Sequence, residues 1–118
     1  MRHSLLLILM LGILIACADS DAQVAEPEQE VQMGWPTTCD AAVARLATQL
    51  PQSEKESLAA MERSDLILLH HGFGTGIRNE FGLWGGNFAF IKSCSGKRNA
   101  HPDHVSMIII ERLWDSLQ

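Results

Sequence analysis

No stretch of the 118-residue chain is apolar for long enough to cross a bilayer as a helix, which takes roughly 20 such residues. The longest apolar run, Leu5 to Ile15, stops short of that. Lysine and arginine are sparse, 9 in all, and form no stripe. Nucleic acid is therefore not an expected partner, and there is no long basic amphipathic helix to lie on a membrane. No internal repeat is present. The segment GFGTG at 72–76 brings its third glycine one residue too early for a dinucleotide fingerprint, and SGKRN at 95–99 lacks the spacing of a phosphate loop. Ser57, Ser64 and Ser106 stand in no nucleophile-elbow context. Cysteine is scarce, with three copies, and each has a distinct expected fate.

The first of them closes a leader-like segment. Arg2 precedes the apolar run, and Leu14-Ile15-Ala16-Cys17 follows at its end. A charged start, a short apolar core and small residues before a cut describe a secretory signal. LIAC resembles the lipobox of bacterial lipoproteins, so residues 1–17 are expected to be a signal peptide that leaves Cys17 lipidated. The chain would then sit on the bacterial cell envelope, held to a membrane through its N-terminal lipid. Residues 18–34 hold five acids and neither Lys, Arg nor an aromatic residue. Such a composition buries too little apolar surface to offset its ordering entropy and predicts an acidic, flexible tether.

The folded part is expected at 35–118, where 9 acids against 8 bases leave a net charge of −1. Cys39 and Cys94 fall inside it. An exported chain with an even pair invites a disulfide, which would suit a domain of this size. Two separate buried thiols are the other reading.

Periodicity predicts an all-α bundle of about four to five short helices. In 37–50, Thr37 with Asp40 forms a capping-box pattern, and Val43, Leu46, Ala47 and Leu50 share a face. In 53–63, Ser53 stands as cap with Glu56 behind it. Between Leu66 and Phe81, Leu66, Leu69, His70, Phe73, Ile77 and Phe81 keep a period near 3.6, which predicts one continuous face. Asn87 is a candidate cap for a helix over 88–94. Pro102 and Asp103 suit the first turn of a last helix, whose Val105, Ile108, Ile109, Leu113 and Leu117 place it centrally.

Candidate functional residues cluster around the glycine-rich GTGIRNEFGLWGGN, residues 74–87. Gly74 and Gly76 are expected to let the last helix approach at Ile108 and Ile109. Gly82, Gly85 and Gly86 are expected at turn positions with positive φ. Trp84 is expected to bury its ring and bond its indole N–H to a carbonyl. Arg78, flanked by Ile77 and Phe81, is expected inside and needs acceptors for its donors; Asp103 or Glu80 could serve. Arg78, Asn79, Trp84, Asn87, His71, His101 and Asp103 thus form either an internal polar network or a ligand site. His71, His101, His104 and Asp103 could ligate a metal only if the two regions meet in space; no metal and no cofactor is assigned. A nucleophilic Cys94 would need a histidine partner, and the disulfide suits an exported chain better.

WPTTCDAAVARL, LILLHHGFGTGIRNEFGLWGGN and HPDHVSMIIIERLW together resemble the bacterial DUF6794 domain family. The carrying motifs are Trp35-Pro36, then Ile77-Arg78-Asn79 with Gly82-Leu83-Trp84, then His101-Pro102-Asp103 with Ser106. His104 departs from the acidic residue expected there, which counts against a paired-carboxylate site. The resemblance spans nearly all of 35–118 and implies a compact, mainly helical domain with no established activity, substrate or cofactor. Two functions follow from the residues. One is a non-enzymatic binding or protein-interaction module displayed on a tether, its protein partner unknown. The other is a small hydrolase or metal-dependent enzyme using His71, His101, Asp103 and Arg78, whose catalytic residues remain unassigned. The enzyme requires those groups in an open concavity; the network buries Arg78.

Overall fold

In the computed structural model, which describes residues 34–118, every regular element is helical. Cys17 and the expected signal and tether up to residue 33 lie outside the described residues. The order is α1 (Cys39–Gln49), α2 (Gln52–Ala59), a 3-10 helix (Arg63–Leu69), α3 (Phe73–Glu80), α4 (Phe88–Ser95) and α5 (Pro102–Ser116). Among the described residues there is no strand, and the domain is all-α with one 3-10 helix beyond the expected count.

The centre is α5, which packs against α1, α3, α4 and the 3-10 helix. His101 caps it by accepting the Asp103 amide on Nδ1 at 3.2 Å, and Pro102 takes the first position. Its buried stripe is Val105, Ser106, Ile109, Ile110 and Leu113, all at 0 % exposure. Ile108 and Leu117, expected on that face, are only partly buried. Each fully buried apolar side chain stabilises by about 1.5–3 kcal/mol, so α5 anchors the core. Phe81 and Phe90 complete it in an edge-to-face pair with centroids 5.8 Å apart.

The expected caps shift by one residue. Thr38, rather than Thr37, caps α1 and accepts the Ala41 amide at 3.2 Å, so the third helical position is alanine and no capping box closes. Pro51 precedes α2 without any side-chain cap, and Ser53 lies inside the helix. Both corrections follow from backbone register: the amide that needs an acceptor is set by where the tertiary contacts start the helix.

The continuous helix expected from 66 to 81 is broken at residues 70–72. The 3-10 helix before the break repeats every three residues. Leu66 and Leu69 therefore point inward, while Ile67 and Leu68 are 59 % and 75 % exposed.

Residues 34–39 are tied to α1, to α4 and to the residue before α4. The Arg45 guanidinium donates to the Gly34 carbonyl at 3.0 Å, Asn87 Nδ2 to the Pro36 carbonyl at 2.8 Å, and the Cys39 amide to Ser93 Oγ at 2.9 Å. Cys39 and Cys94 are joined as a disulfide with Cα atoms 4.9 Å apart. It closes a 55-residue separation, which in the chain-entropy account destabilises the unfolded chain by about 4 kcal/mol. Thiol titration in denaturant without reductant should find neither cysteine free, and Cys94→Ser should lower stability by roughly 2–4 kcal/mol in chemical denaturation. Two titratable thiols in exported protein would refute the bridge.

Candidate functional site

Arg78 stands in the last turn of α3 with 6 % of its surface exposed. A guanidinium without partners in that position would be strongly destabilising, and here each nitrogen has a partner. Nε faces Asp103 Oδ1 at 3.2 Å. Nη1 donates to Ser106 Oγ at 2.9 Å. Nη2 donates to Thr75 Oγ1 at 2.9 Å and to the His70 carbonyl at 3.2 Å. Both hydroxyls pass the chain of bonds onward: Thr75 donates to the His71 carbonyl at 2.6 Å and Ser106 to the Asp103 carbonyl at 2.9 Å. The acceptor from the expected pair is Asp103; Glu80 is exposed.

Gly74 makes room for this cluster. A Cβ there would come within 3.0 Å of Arg78 Nη1, 3.4 Å of the Leu69 carbonyl and 3.6 Å of Ser106 Oγ. The close approach is thus to the guanidinium and Ser106, not to Ile108 and Ile109 as expected. Gly76 faces open space, with nothing within 4 Å of its would-be Cβ. Two helical faces separate these glycines, which spacing alone does not distinguish.

Asp103 is the outer half of the network, its side chain 42 % exposed. Oδ2 lies 3.6 Å from His101 Nδ1 and 3.9 Å from His70 Nε2. His70 packs edge-on against the exposed His71 ring, with centroids 4.8 Å apart. His70 Nδ1 is buried without a hydrogen-bond partner among the described residues. The structure therefore gathers Arg78, Asp103 and His101, with His71 at the margin, and adds His70, Thr75 and Ser106. Ser106 is fully buried and its proton is engaged by a backbone carbonyl, so it is not a poised nucleophile. Among the described residues, no three His, Cys, Asp or Glu side chains are arranged to hold a metal ion.

The remaining candidates lie elsewhere. Asn79 is exposed and outside the network. Asn87 is 8 % exposed and gives the α4 amides no side-chain cap; its Nδ2 bridges the Pro36 and Phe81 carbonyls, the latter at 2.9 Å. Trp84, expected inside, is 59 % exposed and meets His101 edge-to-face at 5.7 Å. Its place is taken by Trp35, whose ring lies on the bare backbone of Gly82 and Gly85. A Cβ on either would come within 2.2 Å and 2.7 Å of that ring. Gly82 and Gly86 have φ of 69° and 90°, whereas Gly85 does not have positive φ and is required by the Trp35 contact. The Trp-Pro and GLWGG motifs were the available signal for this platform, but nothing in one sequence pairs them.

An apolar groove opens on other residues, between Leu50, Leu58, Met61, Leu69 and Phe73. None of the candidate residues lines it.

Residues 35–117 match the family described as a domain of unknown function, DUF6794. The chain belongs to the DUF6794 family. No curated protein and no solved structure matches it. In this DUF6794 domain the three motifs contribute to two structural roles: Arg78, Asp103 and Ser106 to the guanidinium cluster, Trp35, Pro36 and Gly82 to the N-terminal seam.

Arg78→Ala should lower stability by roughly 3 kcal/mol, because it strands buried acceptors and opens a void. Gly74→Val should be comparably destabilising by overpacking. Gly76→Ala should be neutral or stabilising by up to about 1 kcal/mol. Thermal melts of the three variants check this, and equal stability of Arg78→Ala and wild type would contradict the network.

Proposed function

We propose that this DUF6794 protein is a lipid-anchored, non-enzymatic interaction domain of the bacterial cell envelope. The supporting observation is an inversion of the usual distribution of residue types. The cationic candidate Arg78 is spent on internal partners, while Trp35, Trp84 and Phe88 are 49 %, 59 % and 46 % exposed. Buried charge and exposed large apolar groups are the informative departures in a small fold. The first holds α3 to α5. The second offers contact area at and beside the loop between α3 and α4, with Trp35 packed on it from before α1 and Phe88 at the start of α4. An acid–base site would instead leave Arg78 or the Asp103 pair free to meet a substrate in a concavity.

The anchor rests on the Cys17 motif and is tested separately. Cys17→Ser should release the chain from membranes or block its processing, read by fractionation and intact mass; unchanged partition and mass would sink the anchor. Trp84→Ala should leave thermal stability within about 0.5 kcal/mol of wild type, as for a surface position. A large loss would make Trp84 structural and remove the support for an interaction surface.

A further inference from the structure

The aromatic residues that the core leaves out converge on one edge. Trp35 lies on Gly82 and Gly85. Phe88 lies beside Gly86, with the Arg98 guanidinium 4.9 Å above its ring. Trp84 stacks edge-on to His101. Lys97 and Arg98 belong to the exposed turn after α4, and His101 and His104 line the same polar hollow as Lys97. Asp103, the acid beside His101, already faces Arg78, and Glu80 lies exposed at the end of α3. The edge thus combines three aromatic rings, two of them with an indole N–H, with basic side chains.

We propose that this edge docks onto the bilayer that carries the anchor, with Trp35, Trp84 and Phe88 at the interface and Lys97 and Arg98 against lipid phosphate. The proposal rests on the lipid-anchor reading and names the partner of the interaction surface. Three observations favour a bilayer over a protein partner. First, the chain outside the described residues joins at Gly34, next to Trp35, so the anchor leads to this edge. Second, the stretch from Cys17 to Gly34 reaches at most about 60 Å when fully extended. Docking is then intramolecular, and weak contacts suffice at the high effective concentration that a short link gives. Third, tryptophan beside lysine and arginine is the composition that membrane interfaces favour. The acids of residues 19–30 are repelled by anionic headgroups, so on such a surface the basic edge makes the contact.

The test uses the full-length, acylated chain in vesicles of phosphatidylcholine with or without phosphatidylglycerol, with brominated acyl chains as quenchers of tryptophan emission. Trp35, Trp84 and Trp114 are the fluorophores; Trp114 donates to the Met61 carbonyl on another part of the domain. Wild type should be quenched, more strongly with phosphatidylglycerol. Trp84→Phe should remove much of the quenchable emission, and Trp114→Phe should leave it. Lys97→Glu with Arg98→Glu should reduce quenching at least about twofold in the anionic vesicles. Trp84→Ser should weaken the quenching of Trp35. An acylated chain whose emission is unaffected by bromine, or is quenched only through Trp114, overturns the proposal and leaves the anchor standing; the edge then belongs to a protein partner. A chain whose mass shows no acyl addition overturns the anchor reading and this proposal together.

Discussion

A guanidinium held between α3 and α5 imposes requirements on every segment around it. Arg78 needs a carboxylate, and Asp103 supplies it from the first turn of α5. It needs neutral acceptors, and Thr75 and Ser106 supply hydroxyls that are themselves bonded onward. It needs a backbone carbonyl free of helical bonding. A continuous helix through 66–81 would give the His70 carbonyl to the Gly74 amide. The break at 70–72 leaves that carbonyl to Arg78 Nη2. The interruption and the missing side chain at Gly74 are therefore two consequences of one buried charge. A hydrophobic residue at 78 would remove the desolvation cost, but it would also remove what fixes α3 against the N-terminus of α5.

A second seam is covalent and is made by the chain's own entry. An 85-residue unit buries a modest share of its surface and gains from a staple. Here the Cys39–Cys94 bridge, the Ser93 bond to the Cys39 amide and the Asn87 bridge to Pro36 all tie residues 34–39 to α4 and its preceding loop. The surface pairs elsewhere are weaker contributors. Arg112 with Asp40, and Arg63 with Asp115 and Glu111, are about half exposed or more, and such pairs typically contribute less than about 1 kcal/mol. The two seams, one polar and one covalent, bracket α5.

What the sequence made legible is what periodicity and side-chain chemistry determine. The inward residues of 66–81 could be read because burial repeats near 3.6, and that inward set survives a helix break: Leu66, Ile77 and Phe81 are buried despite it. The Asp103 contact followed from asking which acceptor a buried arginine could reach. The last helix followed from Pro102 and Asp103 ahead of an apolar stripe. The glycine-rich loop offered no period. Trp84 and Trp35 each have a large ring and a polar tip, and either could have filled the space over Gly82 and Gly85. Only the tertiary path of residues 34–39 selects Trp35. The cap of α1 shows the same limit at smaller scale, since Thr37 and Thr38 are chemically alike and register alone separates them.

The two seams also explain why the loop between α3 and α4 can present aromatic residues without collapsing onto them. Its ends are fixed independently of Trp84: Asn87 Nδ2 bonds the Pro36 and Phe81 carbonyls, and the Leu83 amide bonds the Arg78 carbonyl at 3.1 Å. Trp35 occupies the bare glycine surface that a loose loop would otherwise close over. With that surface filled, Trp84 has no interior place to go and stands against His101. Its exposure is thus a consequence of how the chain enters the domain, since Trp35, next to the residue that joins the preceding chain to the fold, is the one that fills the glycine surface.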